Sequence, residues 1–145
     1  MAIDGSQQSM KAADYAISLA SKYNSRLIAL HIIDLSQPKL AGDASVLITG
    51  VIYPLAELEA ARKESLHWIS NVSERAQQQH IQFKSEIIED VVSRIGGAIV
   101  NYAEKEKVDL IVIGTRGRSG FKKLLIGSVA SNVLHYAHCP VMIVK

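Results

Sequence analysis

Two segments of this chain, RLIALHII at residues 26–33 and VDLIVIG at residues 108–114, carry apolar side chains at consecutive positions. Successive residues of a strand face opposite sides, so a run that is apolar throughout needs cover on both. Helical patterns supply that cover. Ala13, Ala16, Ile17, Ala20 and Tyr23 recur at helical spacing, with Ser6 or Ser9 as a cap. Leu55, Leu58, Ala61, Ile69, Val72 and Ala76 form one face of a long helix. Val92, Ile95, Ile99 and Tyr102 mark a third helix, and residues 127–136 a fourth. Residues 1–3 read as the end of a strand, residues 82–88 as the third strand and residues 140–144 as the fifth. Residues 34–53, with Pro38, Gly42 and Gly50, read as an irregular connection. Strands alternating with helices lie parallel. The expectation is one α/β domain over residues 1–145, an open doubly wound five-stranded parallel sheet with right-handed crossovers and helices on both faces. Gly96 and Gly97 interrupt the third helical pattern, where each costs up to about 1 kcal/mol relative to alanine; they mark either a close helix contact or a break.

The composition removes several classes. A chain of 145 residues with 48% hydrophobic content buries a core without disulfides or a structural metal. No apolar run approaches a membrane span. The first residues lack both a basic start and an apolar stretch, so the expectation is a cytoplasmic protein without a membrane partner. The single cysteine, Cys139, reads as a small buried hydrophobe and excludes an internal disulfide. The net charge is +2, and four of the 16 basic residues, Arg116, Arg118, Lys122 and Lys123, fall in a stretch from Gly114 to Ser128 that holds no acid. A basic loop on a slightly acidic body indicates a local anion site rather than a nucleic-acid surface.

That loop carries the chemistry. Gly114-Thr115-Arg116-Gly117 follows the fourth strand, and Gly127-Ser128 opens the next helix, a Gly-x2-Gly-x9-Gly-Ser spacing. Gly114 and Gly117 are expected to let the backbone turn sharply and approach a ligand. At Gly127 and Ser128 the unpaired N–H groups and the helix dipole favour an anion. Together they suit a di- or triphosphate. The loop is neither a Walker A sequence nor the dinucleotide fingerprint, because the ending and the glycine spacing differ. Arg116 and Arg118 are either phosphate contacts or solvated loop charges.

The segment GTRGRSGFKKLLIGSVASNVLHYAHCPVMIVK, with AIDGS near the start, LIALHIID and VDLIVIGTRG, resembles the universal stress protein family along essentially the whole chain. The resemblance implies strand order 3-2-1-4-5 and the ATP-binding branch. It places Asp4 on the adenine with Ala2 and Ile3 beside it, and Ile32 at the second-strand position whose backbone meets the base. Gly114, Gly117, Gly127, Ser128 and Val129 match ribose and phosphate contacts, and Ile113 stands just ahead of them. ATP is the implied ligand, with AMP or a cyclic nucleotide as alternatives and magnesium or manganese on the phosphates. The resemblance also implies a homodimer through the last strand, with Val141, Met142 and Ile143 at the interface.

The remaining polar and aromatic residues read more plainly. His31 reads as a packed core histidine, and Trp68 as packing on the long helix. His135 and His138 have a spacing compatible with metal but no third ligand nearby in sequence. No catalytic group stands beside the loop. The expected function is a nucleotide-dependent regulatory switch in the stress response, acting on an unidentified protein partner. A slow ATPase and a ligand-independent, chaperone-like interaction protein are the alternatives.

Overall fold

The computed structural model describes residues 1–36, 45–48, 51–118 and 126–145. In chain order the elements are α1 (Gln7–Tyr23), β1 (Leu27–Asp34), β2 (Ser45–Ile48), β3 (Val51–Pro54), α2 (Leu55–Gln78), β4 (Phe83–Asp90), α3 (Arg94–Lys105), β5 (Ile111–Gly114), α4 (Ser128–Tyr136) and β6 (Val141–Val144). Local chemistry sets several boundaries. Ser6 caps α1 by accepting from the Ser9 N–H, and Asn24 ends it in the left-handed region at φ 48°. Residues 108–110, read as part of a strand, precede β5, so that strand is shorter than its apolar run.

The strands form three pairs. β1 and β4 are parallel from Leu27↔Phe83 to Asp34↔Asp90, and β5 and β6 are parallel from Ile111↔Val141 to Gly114↔Val144. The N-terminal residues lie between these pairs. The Ala2 N–H donates to Val112 O at 3.0 Å, the Ile3 N–H to Leu30 O at 2.9 Å, and the Leu30 N–H to Met1 O at 2.9 Å. The third pair corrects the reading of residues 34–53 as irregular throughout: β2 and β3 form an antiparallel hairpin, from Ser45↔Pro54 to Ile48↔Val51. Residues 37–44 and 49–50, with Pro38, Gly42 and Gly50, lie outside the described residues.

Strand alternation sorts the buried side chains into two layers. Ile28, Leu30 and Ile32 of β1 and Ile111 and Ile113 of β5 pack with Ile99 and Tyr102 of α3 and Val133 of α4. Leu27, Val112 and Val144 pack instead with Ala13, Ala16 and Ile17 of α1 and Ile69 and Val72 of α2. Each apolar strand is therefore covered on both faces. Three expected core positions are not core. Tyr23 is exposed at the end of α1, with the Lys22 ammonium 5.7 Å from its ring centroid, Leu55 is exposed at the start of α2, and Val92 is 82% exposed ahead of α3. In each case the helical pattern runs past the buried part of the element.

Gly96 and Gly97 do not break α3, and their surroundings differ. A Cβ on Gly96 would stand 2.4 Å from Asn132 Oδ1 and 2.9 Å from Asn132 Cβ, so glycine there lets α3 approach α4. A Cβ on Gly97 would meet only Ser93 Cβ, at 3.4 Å. Gly96→Ala is expected to destabilise the fold by about 1–3 kcal/mol through overpacking. Gly97→Ala is expected to be neutral or to add up to ~1 kcal/mol through helix propensity. Urea unfolding of the two variants measures this; equal effects would contradict the close α3–α4 approach.

Candidate functional site

A cavity of ≈ 340 Å³ opens at the carboxyl ends of β1 and β5, beside the N-terminus of α4. Ala2, Ile3, Asp4, Ile32, Ile113, Gly114, Arg116, Gly117, Gly127, Ser128 and Val129 all line it. The chain thus brings together residues from its first turn, its longest apolar strand and its glycine loop. Lys122 and Lys123, also expected to add positive charge here, lie outside the described residues.

The cavity has an apolar part and a polar part. Leu30, Ile32, Ile95, Ile99 and Ile113 line the first. Ile95 and Ile99 were legible only as one face of a helix; nothing in their spacing separates a cavity wall from a core contact. At the polar part, Gly127 is the residue before α4, with φ −69° and ψ 158°, and no side chain caps the helix. The Ser131 N–H bonds back to Gly127 O, while Ser128, Val129 and Ala130 face the cavity from the first turn. Helix N–H groups and dipole make this end suited to an anion. Asp34, at the end of β1, also lines the cavity, and its Oδ1 accepts from the Ser36 N–H and hydroxyl. Its place at a strand's carboxyl end is the signal that could have singled it out.

Asp4 links the first turn to the loop. Its Oδ1 accepts from the Ser6 N–H at 3.0 Å and from the Ser6 hydroxyl at 2.6 Å, so Asp4 shapes the turn that caps α1. Its Oδ2 accepts from the Arg118 N–H at 3.1 Å. The Ser6 hydroxyl also lies 3.4 Å from Arg116 O. The acid expected at a strand end is therefore both a turn residue and an anchor for the loop.

The glycines act differently from the expectation of sharp turns. None of Gly114, Gly117 and Gly127 has a positive φ; among the described glycines only Gly5 does, at 76°. What each requires is the absence of a Cβ. On Gly114 it would stand 2.9 Å from the Gln8 carbonyl carbon and 3.0 Å from Ser9 N, where the first turn of α1 crosses β5. On Gly117 it would stand 2.5 Å from Asp4 Oδ2, and on Gly127 it would stand 3.1 Å from Thr115 O. The close approach at these positions is to the protein itself.

His31 and Trp68 are also more than core packing. His31 lines the cavity, and its Nδ1 lies 2.7 Å from Ile3 O; a carbonyl only accepts, so Nδ1 carries the hydrogen. The Trp68 ring meets His31 edge-on at 5.3 Å, lies beneath the Arg118 guanidinium at 5.2 Å, and abuts Gly5, where a Cβ would stand 2.1 Å from the indole. Elsewhere, His135 packs edge-on against Tyr136, and His138 Nε2 lies 3.2 Å from Val108 O. Among the described residues no group of three or more His, Cys, Asp and Glu is placed to hold a metal ion, and no helix is long and apolar enough to cross a membrane.

Parallel strand pairs, a cavity at their carboxyl ends and a helix start without a side-chain cap define an α/β domain whose cavity has one end suited to an anion. The chain belongs to the universal stress protein family, whose model matches residues 1–145. Universal stress protein MJ0531 of Methanocaldococcus jannaschii is 35% identical over 142 residues, which cover 98% of this chain and 78% of that one. Universal stress protein YxiE of Bacillus subtilis is 33% identical over 150 residues, covering 100% and 96%. Among solved structures, UspA of Lactobacillus plantarum has a TM-score of 0.74 at 23% identity, covering 99% of this chain and 94% of that one. A universal stress protein in complex with cAMP has a TM-score of 0.64 at 23% identity, covering 100% and 93%. One from Archaeoglobus fulgidus in complex with dAMP has a TM-score of 0.65 at 19% identity, covering 99% and 94%. The likeness to these structures is one of fold.

Burial lowers the His31 pKa below its usual 6.5, only partly offset by the Ile3 carbonyl and the nearby carboxylates of Asp4 and Glu64. Because the unfolded chain takes up this proton at a higher pH, the stability from neutral His31 is complete above about pH 6.5. It is lost as the pH falls from there to the lowered folded value. An NMR titration of the His31 ring is expected to show a midpoint below 6.5. A midpoint at or above 6.5 would overturn the assignment of a desolvated, neutral ring.

Proposed function

We propose that this cavity binds ATP, with the base between the isoleucines and the phosphates at the start of α4. The observation that carries the reading is that an apolar slot and an uncapped helix N-terminus meet in one cavity. The cavity volume lies within the usual range for small-molecule sites, about 300–1,000 Å³. Two structures of similar fold that hold cAMP and dAMP support a nucleotide as the ligand class. Asp4, Ala2, Ile3 and Ile32 would hold the base. Gly114, Gly117, Gly127, Ser128 and Val129 would leave room for the ribose and offer N–H and hydroxyl donors to the phosphates, beside Arg116. Magnesium or manganese would neutralise phosphate charge. In this reading residues 1–3 are the central strand of one doubly wound five-stranded sheet, β4-β1-(1–3)-β5-β6. The backbone bonds of Ala2 and Ile3 to both neighbours support that order.

The reading continues to a regulatory switch rather than a dedicated ATPase. Around the cavity the carboxylates already have partners: Asp4 with Ser6 and Arg118, Asp34 with Ser36. Turnover is expected below about one per second, a low value for an ordinary enzyme.

Calorimetry with millimolar ATP and magnesium tests the site. Wild type is expected to bind. Gly117→Val, whose branched side chain would take up space in the cavity that Gly117 lines, is expected to lose at least ~tenfold in affinity, or ~1.4 kcal/mol, while keeping the fold. Ser128→Ala is expected to cost less, since one hydroxyl bond goes and the helix N–H groups stay. Unchanged affinity in a folded Gly117→Val variant would show that nucleotide binds elsewhere.

A homodimer through β6 belongs to the same reading. β6 pairs with β5 along one edge, and among the described strands no second partner occupies the other. Val141 and Ile143 pack toward one core layer and Met142 toward the other. Val141, Met142 and Ile143 are half-buried in one chain, so pairing through main-chain groups would bury them further. An apolar strand edge of this kind invites pairing. Light scattering at tens of micromolar is expected to give twice the mass of the chain; a monomeric mass would overturn the dimer.

A further inference from the structure

The segment Gly117–Arg118 is fastened at three points. The Arg118 N–H donates to Asp4 Oδ2 at 3.1 Å, its Nη1 to Glu64 Oε2 at 3.1 Å, and its guanidinium lies over the Trp68 ring. Glu64 and Trp68 both belong to α2, and neither lines the cavity, whereas Arg118 does. Gly117 lies so close to Asp4 that a Cβ there would stand 2.5 Å from Oδ2. Residues 117 and 118 therefore cover that side of the carboxylate, and a ligand that takes Oδ2 as its acceptor must displace them.

The fastening is built to yield. In the Arg118–Glu64 pair the side chains are 57% and 47% exposed, and exposed pairs of this kind contribute little net stability. The guanidinium is itself exposed, so its attraction to the half-buried Trp68 ring is modest as well. The Asp4 turn, by contrast, is fixed from behind: Gly5 is pressed on the same Trp68 ring, and His31 holds Ile3 O while packing edge-on against it. One indole thus touches the fixed turn, the histidine in the cavity wall and the displaceable arginine.

We propose that Arg118, Glu64 and Trp68 form a latch that competes with nucleotide for Asp4, so that filling the cavity releases Arg118 and exposes Glu64 and the Trp68 face on α2. This inference rests on the reading of the cavity as a nucleotide site and adds how occupancy is signalled at the surface. The surface it would alter, an acid and an indole uncovered together on one helix, suits a partner carrying a basic side chain in place of Arg118.

Trp68 is the single tryptophan of the chain, so its fluorescence reports the latch directly. The experiment titrates ATP and magnesium into wild type and into Arg118→Ala and Glu64→Gln, following Trp68 emission and calorimetric heat in parallel. In wild type the emission is expected to shift with the midpoint that calorimetry gives. In Arg118→Ala the emission before ATP is expected already to match that of ATP-saturated wild type, with little further change. Both variants are expected to bind ATP about two- to five-fold more tightly, in keeping with the small contribution of an exposed ion pair. Calorimetric binding without an emission shift in wild type, or weaker binding by Arg118→Ala, would overturn the latch and leave the nucleotide site standing. No heat at millimolar ATP would remove the nucleotide reading and the latch with it.

Discussion

The arrangement depends on the hydrogen bonds of residues 1–3. The Ala2 N–H reaches Val112 O on β5, and the Ile3 N–H reaches Leu30 O on β1, so this short extended segment holds the two parallel strand pairs together. Alternation sends Ala2 into the layer shared with α3 and α4, and Ile3 into the layer shared with α1 and α2. The next residue along, Asp4, arrives at the carboxyl ends of β1 and β5, where its carboxylate meets both the start of α1 and the glycine loop. The backbone pairing that joins the strand pairs also delivers the site's acid.

Close backbone approach, rather than unusual dihedral angles, explains the loop glycines. Gly114 accommodates the first turn of α1, Gly117 accommodates Asp4, and Gly127 accommodates Thr115. Each contact is to a residue that borders the cavity: Ser9, Asp4 and Thr115. The glycine spacing is thus a packing requirement first. Its suitability for phosphate follows because the same compactness leaves the N-terminal turn of α4 facing the cavity without a side-chain cap.

Much of the fold was legible because its signals are local. The doubly apolar run of β1 announced cover on both faces, and Ser6 and Ser9 announced the start of α1, of which Ser6 is the cap. The short hairpin of β2 and β3 was not legible, because Pro38, Gly42 and Gly50 suggested an irregular connection and each strand is only four residues long. His31 and Trp68 were legible only as apolar-surface residues. Their contact with each other, with Gly5 and with Arg118 joins four segments far apart in the chain, and no spacing rule encodes it.

The sequence by itself determined the α/β class, the order of the elements along the chain apart from the β2–β3 hairpin, and the glycine loop ahead of α4. Hydrophobic periodicity and a helix start are properties of neighbouring residues, so they survive in a one-dimensional record. The tertiary structure alone decided that Asp4 grips the loop through the Arg118 N–H, and that Gly96 admits Asn132 while Gly97 has space. It also decided that Ile95 and Ile99 line the cavity rather than only a core. These outcomes depend on distances of a few ångströms between residues separated by 36 to 114 positions, and such distances exist only once the layers have packed.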